Sequence, residues 1–230
     1  MKDFAKLEKN LKLNFKDKDL LKQAFVHRSY INENSGFTLP HNERLEFLGD
    51  AVLELSVTEY LYQNYPNPEG ELTNWRASLV NGQMLSSLAK KLELENYLYL
   101  SKGEAKDTNS KARNYILANT FESLVGAIYL DQGFKKANKF INENLIPELP
   151  RILSDKLYQD PKSQFQEVAQ EKTGITPSYK VLDESGPDHN KNFEVGVYLG
   201  SELIAKANGS SKQEAQVRAA EAALAKKKWK

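Results

Sequence analysis

The sequence predicts two domains of different class: an all-α domain at residues 1–152, then an α+β domain of order α-β-β-β-α at 160–230, joined by a linker at 153–159. Three observations predict this. Apolar residues recur at helical spacing through the first 150 positions. No alternating apolar–polar run appears there. Beyond residue 160 the period changes, with three short alternating runs between two helical ones.

In chain order, the helical runs are Leu20 to Tyr30, Glu43 to Tyr65, Gly70 to Leu92, Ala112 to Leu130 and Lys135 to Leu145. Pro66-Asn-Pro68, Gly103 and Gly133 are candidate helix stops. The pattern fits five to eight helices packed as one domain. Leu149 to Asp160 has no sustained repeat and reads as the connection. Asp160 then caps a helix that opens on Pro161 and runs to Lys172. Strands follow at Ser178–Asp183, Phe193–Leu199 and Leu203–Ala207. Ser210 or Ser211 caps a final alanine-rich helix.

Composition excludes several classes. The 230 residues are 40% hydrophobic and 27% charged, which is ordinary for a chain with packed cores. No stretch approaches the roughly 18 apolar residues of a membrane span, so no membrane association is expected. The absence of cysteine excludes disulfides and thiolate metal sites, and with no apolar leader it fits a cytoplasmic protein. Net charge is only +1, and residues 159–230 carry 11 Lys/Arg against 10 Asp/Glu. A nucleic-acid ligand therefore draws no support from bulk charge and must rest on placement.

Two runs carry chemistry. In the first, Glu43, Glu46 and Asp50 are three and four residues apart and share one helix face. Like charges at that spacing destabilise an isolated helix. Read alone, they also fit a solvated outer face, with Leu45, Leu48 and Val52 opposite. The second run lies between Arg113 and Asp131, and Glu122 is its only charged residue. A helix this apolar is buried over most of its surface, where a carboxylate needs a partner. Asn119 and Gly126 lie one turn to either side on the same face, and Gly126 would let another element come close. A Glu on a single exposed strip, or one paired with an Arg, is the alternative. Taken together, Glu43, Glu46, Asp50 and Glu122 offer carboxylate oxygens without Cys or His, a set suited to Mg²⁺ or Mn²⁺ and to phosphodiester hydrolysis.

The residues that make this case also resemble a known family. His41-Asn-Glu-Arg-Leu-Glu-Phe-Leu-Gly-Asp-Ala-Val-Leu53 is similar to the signature of ribonuclease III. In family order there are also Ala24 to Tyr30, Glu69 to Thr73 with Arg76 to Val80, Leu100 to Glu104, and Ile116 to Asp131. The resemblance covers nearly the whole chain and matches the bacterial two-domain form. It implies a ribonuclease III catalytic domain acting as a metal-dependent endoribonuclease on double-stranded RNA, in rRNA and mRNA processing. Implied products carry 5′-phosphates and short 3′ overhangs, and the implied assembly is a homodimer. Glu46, Asp50 and Glu122 fall on the family's catalytic, metal-binding carboxylates. Glu43 falls on an acid that engages substrate, and Phe47 on an aromatic packed into the partner subunit. Position 119 departs from the pattern: it is Asn where many members carry a fourth Asp. Its carbonyl can still ligate a hard cation, though without charge. A natural variant with working chemistry, an engineered substitution, and a weakened enzyme that mostly binds duplex RNA all stay open.

The C-terminal helix–three strands–helix order resembles the double-stranded RNA-binding domain. Such domains read A-form shape and 2′-hydroxyls across about 16 base pairs. The candidate contacts are Ser163 and Gln166 on the first helix, His189 in the loop between the first two strands, and Lys212, Gln213 and Gln216 at the start of the last helix. Amides at that helix start can receive phosphate. Gln213 and Gln216 stand where basic residues are common in the family, which predicts modest affinity.

Overall fold

A computed structural model of the chain describes residues 2–108, 110–187 and 191–229. The chain forms two compact units, Met1–Tyr158 and Gln159–Lys230.

The first unit is helical: α1 (Phe4–Leu11), α2 (Lys18–Gln23), α3 (Arg28–Glu33), α4 (Glu43–Asn64), α5 (Glu69–Leu79), α6 (Gly82–Lys91), α7 (Lys102–Lys106), α8 (Lys111–Gln132), α9 (Phe134–Asn144) and α10 (Leu149–Ser154). Short polar side chains set many of the starts. Asp3, Asp17, Asn81, Ser101 and Ser110 each accept a hydrogen bond from a free amide in the first turn of the helix that follows, each cap worth about 1 kcal/mol. Gly133, at φ +80°, ends α8 where a side chain would be strained. The core is built around α8, whose Leu117, Phe121, Leu124, Val125 and Ile128 are fully enclosed, together with Leu53, Val57 and Leu61 of α4. A run apolar on every side becomes a central helix because only full enclosure removes that surface from water.

Several sequence expectations need correction. Leu20 to Tyr30 is not one helix. It breaks after Gln23, and Val26 forms a parallel bridge to Tyr99, with Tyr99 N donating to Phe25 O and His27 N to Tyr99 O. Gly70 to Leu92 is likewise two helices, because Asn81 acts as an N-cap and accepts from Met84 N at 2.9 Å. Gly103 lies inside α7 rather than ending a helix. Leu149 to Asp160 is not a plain connection: it contains α10, with Leu149 and Ile152 buried in the first core. Within the expected linker, Leu153 packs on that core and Tyr158 meets Trp75 edge-on at 6.0 Å.

The second unit contains α11 (Pro161–Thr173), β1 (Ser178–Ser185), β2 (Asn192–Leu199), β3 (Glu202–Gly209) and α12 (Lys212–Lys227). The strands form an antiparallel sheet of order β1-β2-β3, with Val181 opposite Val195 and Val197 opposite Ala205. A bulge between Val181 and Asp183 shifts the register of β1. Phe165 and Ala169 of α11 share a core with Val197, Leu199 and Ile204 of the sheet and Ala219, Ala220, Ala223 and Leu224 of α12. The alanines let α12 lie close to the strands, and Trp229 stacks on Phe165 at 5.6 Å. Asp160 caps α11 as expected. Of the two candidate serines, Ser211 caps α12 and accepts from Glu214 N, while the Glu214 carboxylate reaches back to accept from Ser210 N just before the cap.

Candidate active site

Helices α4 and α8 carry the predicted carboxylates, and glycine brings the two together. A Cβ on Gly49 would overlap the Glu122 carbonyl, and one on Gly126 would overlap the Leu45 carbonyl. The backbones therefore touch at the crossing, one turn from Glu46 on α4 and one turn from Glu122 on α8. Ser123 Oγ ties the crossing further: it donates to Asn119 O at 2.7 Å and lies 3.4 Å from Asn42 O at the start of α4. Asn42 in turn donates from Nδ2 to Ala24 O at 3.2 Å.

This crossing crowds negative charge. Glu122 is partly buried, and its carboxyl is pushed up to about 8, first by burial and then by Asp50 and Glu46. Glu46 is also raised, by burial, then by Glu43; Asp50 adds to this, while a hydrogen bond from the Asn119 amide opposes it. Glu46, Asp50, Asn119 and Glu122 thus form one electrostatic group, with Glu43 at its edge. Asp50 and Glu43 are exposed to solvent. Glu43 faces Arg28 Nη1 at 3.6 Å and His41 Nδ1 at 3.7 Å around a groove of ≈ 330 Å³.

Among the described residues, no three His, Asp or Glu side chains stand as a ready-made metal cage. The donor chemistry nevertheless fits a hard divalent cation: three carboxylates and an amide carbonyl, all oxygen. A cation would also relieve the repulsion from Asp50 and Glu46 that adds to burial in raising the Glu122 carboxyl.

Phe47, predicted as a dimer contact, is 82% exposed and belongs to neither core among the described residues. Leu55 and Tyr62 on α4 and Tyr115 and Leu130 on α8 are exposed as well.

In the second unit, the first turns of α11 and α12 lie side by side, joined by Lys162 Nζ donating to Gln216 Oε1 at 2.7 Å. Ser163 donates from Oγ to the capping Asp160 at 3.0 Å and is exposed, as are Gln166, Lys212 and Gln213. Lys212 sits 3.7 Å from Glu184 and over the Phe193 ring. His189 lies outside the described residues.

Residues 17–149 match the family described as Ribonuclease-III-like, and residues 161–227 match the double-stranded RNA binding motif. The chain is 45% identical over 225 residues to Ribonuclease 3 of Nitratiruptor sp., covering 97% of this chain and 96% of that protein. It is 44% identical to Ribonuclease 3 of Oceanobacillus iheyensis, covering 96% of this chain and 97% of that one. The chain belongs to the ribonuclease III family. The nuclease domain of ribonuclease III from Campylobacter jejuni superposes with a TM-score of 0.56 at 36% identity, covering 65% of this chain and 98% of that domain. A second structure of that domain, described as flexible in the region involved in dimer formation, gives 0.54 at 36%, covering 63% and 99%.

Within this ribonuclease III fold, sequence reasoning missed two features of the site. One is Gly49: the sequence marks Gly126 as a place of close approach but not the partner glycine three residues after Glu46. The signal was available as a helix-interior glycine on each of the two acidic helices. The other is Arg28 against Glu43, which only the fold brings together across a loop, with His41, two residues before Glu43, on the same carboxylate.

Proposed function

We propose that this ribonuclease III chain is a metal-dependent endoribonuclease that hydrolyses double-stranded RNA as a homodimer, its catalytic domain at 1–152 and its RNA-binding domain at 160–230 joined by the segment 153–159. The observation that carries the reading is the close α4–α8 crossing, which gathers Glu46, Asp50 and Glu122 so that burial and the neighbouring acids raise the Glu122 carboxyl. Packing acids against one another costs stability, and a structural role alone gives no return for that cost.

In this reading, Glu46, Asp50 and Glu122 offer carboxylate oxygens and Asn119 its amide carbonyl to Mg²⁺ or Mn²⁺. Such a cation supplies an activated water and offsets charge on the leaving oxygen. The chain's own residues do the rest. The glycine crossing fixes the spacing of Glu46 and Glu122, so the acids do not have to be gathered when RNA arrives. Glu43, restrained by Arg28 and His41, lies at the rim where substrate enters. Burial beside the apolar α8 lowers the local dielectric and strengthens each charge interaction.

Ser163, Gln166, His189, Lys212, Gln213 and Gln216 are the proposed duplex contacts. Exposed polar side chains at two neighbouring helix starts suit phosphates and 2′-hydroxyls. The exposed Phe47 supports the homodimer, since a large apolar ring in water marks an interface. With one site per protomer, the two strands would be cut to leave 5′-phosphates and short 3′ overhangs, and structured rRNA and mRNA precursors are the substrate class. Among the described residues no helix is long and apolar enough to cross a membrane.

Asn119 favours a second reading, a duplex binder that cuts weakly or not at all, because an amide lends no charge to the cation. One assay separates the two. A long labelled RNA duplex is incubated with the protein in Mg²⁺ and, separately, in EDTA, beside a mobility-shift measurement. Short metal-dependent fragments are expected; a shifted but intact duplex in Mg²⁺ would favour the binder.

A further inference from the structure

Lysines gather at one place on the first unit. Lys12, at the end of α1, and Lys136 and Lys139, on one face of α9, line a narrow groove of ≈ 170 Å³ whose other walls are Leu11, Leu13, Phe140 and Glu143. That is three cations against one acid, on a chain whose net charge is only +1. Among the described residues, Lys12 and Lys136 make no ion pair and no side-chain hydrogen bond, and Lys139 pairs only with Glu143, at 3.6 Å. Both members of that pair are exposed, so it holds the lysine weakly and can be exchanged. Two acids near the groove in the chain are already engaged. Glu8 is buried and bound by Lys18 at 2.7 Å, and Asp131 accepts from the amides of Lys16 and Asp17 at 3.0 and 2.9 Å.

The groove is built on packed structure. Lys12 closes α1 in the left-handed region at φ 54°, its amide bonded to Lys9 O at 3.3 Å, and Leu13 N is bonded to Glu8 O at 2.9 Å. Leu13 and Phe140 belong to the core, and Phe140 stacks on Phe121 of α8 at 5.8 Å. The lysines thus stand on the same body as the carboxylate group. They are nonetheless separate from it, since the charges that act on Glu46 and Glu122 come from Glu43, Asp50 and Glu46.

What faces water decides the class of partner. Among the described residues, no large exposed apolar side chain lies on α1, on α9 or in the loop from α1 to α2. A protein partner needs an apolar or aromatic anchor at the centre of its interface, and this face offers none. Single-stranded RNA needs rings on which its bases stack, and Phe140 is only 3% exposed. The groove is smaller than the usual small-molecule site but admits a phosphate group. Lys136 and Lys139, three apart on a helix, stand roughly 5–6 Å apart at Cβ. Successive phosphates along one RNA strand are spaced on the same scale.

We propose that this groove is an additional contact for the sugar–phosphate backbone of duplex RNA, outside both the carboxylate group and the RNA-binding motif. It rests on the duplex-RNA reading and extends it to long substrates. Lys12, Lys136 and Lys139 each neutralise a phosphate, and Glu143 releases Lys139 to do so. Such contacts carry no sequence information. They favour long or branched duplexes over short ones, because only the former have backbone left over for the groove.

Mobility shifts of the full chain in EDTA, over a range of salt, test this. One duplex has about 16 base pairs, the span of an RNA-binding domain, and the other is about four times as long. The variant combines Lys12→Gln, Lys136→Gln and Lys139→Gln. On the long duplex, affinity is expected to fall about 10-fold or more, and the slope of log affinity against log salt to drop by about 2–3, at roughly 0.9 per phosphate. The short duplex should stay within about twofold. In Mg²⁺, KM for the long duplex should rise while kcat holds. Unchanged affinity and slope on the long duplex would overturn the proposal. So would an equal loss on both duplexes, which marks general attraction and no distinct contact. A poly-glutamate peptide that binds the parent but not the variant, with duplex affinity unaltered, would assign the groove to an acidic protein instead. A parent chain that shifts the duplex without cutting it refutes the nuclease reading, and the shifts still decide on the groove. If the triple variant does not fold, Lys12→Gln alone decides, with an expected slope change of about 1.

Discussion

The two units handle polar side chains in opposite ways. At the α4–α8 crossing, acids are pressed together beside apolar surface, and Glu122 stays protonated until about pH 8. On α11 and α12, Ser163, Gln166, Lys212 and Gln213 stand in water and Gln216 is half-buried, and local hydrogen bonds such as Lys162 to Gln216 are ones a ligand can exchange. The first arrangement stores electrostatic stress that a ligand relieves; the second holds almost none. Substitutions in the first should therefore act on chemistry and stability, and substitutions in the second on affinity.

The sharpest way to break this contrast is Glu122→Gln. Cleavage of duplex RNA should fall by on the order of 100-fold or more, since even outer partners of metal ligands cost 10–100-fold. Duplex affinity in a mobility shift should stay within about twofold of the parent. A variant that still cuts at the parental rate would remove Glu122 from the site.

Gly126→Ala comes next. The new methyl meets the Leu45 carbonyl, which is backbone and cannot swing aside. Chemical denaturation should show a loss of about 1–3 kcal/mol or more, with cleavage reduced because the helices are forced apart. Unchanged stability would mean that the crossing is looser than the glycine contacts imply.

The pH dependence of stability tests the stress directly. The folded pKa of Glu122, about 8, lies above the ordinary value of 4.5, so the folded state holds the proton more tightly than the unfolded chain. Stability from this group is full below the unfolded pKa and is lost as pH rises through the folded one. In EDTA, the melting temperature should decline between about pH 4.5 and 8, and Glu122→Gln should flatten that decline. Mg²⁺ should offset the loss at the alkaline end, by binding the folded carboxylates. A wild-type slope equal to that of the variant would contradict the burial of charge.

The smallest effect belongs to Lys212→Ala. Duplex affinity should fall a few-fold, and the slope of log affinity against log salt should drop by about 1. A larger effect on the cleavage rate of bound RNA than on affinity would put Lys212 in the wrong class. Its ion pair with Glu184 is exposed and should add little to folding.

How legible all this was varies with the kind of signal. The acids of α4 were visible because three of them fall on one helical face. Glu122 was visible because no other charge surrounds it between Arg113 and Asp131. The caps Asp160 and Ser211 were legible for the same local reason, as was the run of elements in the second unit. Helix interruptions were not: apolar periodicity continues through Gln23–Arg28 and through Val80–Asn81, and a side-chain cap or a bridge to Tyr99 decides the break. The same holds for α10, whose apolar residues look like a loop until the core they cover is known.

The sequence by itself thus determined the two domain classes, the helix that must be central and the acids that must share a face, because each follows from spacing along a single element. Tertiary structure alone decided that Gly49 meets Gly126, that Asn119 turns to Glu46, that Arg28 reaches Glu43, and that Lys12 shares a groove with Lys136 and Lys139. Each of these joins segments distant in the chain or depends on what covers a side chain, and neither is written in the local period of apolar residues.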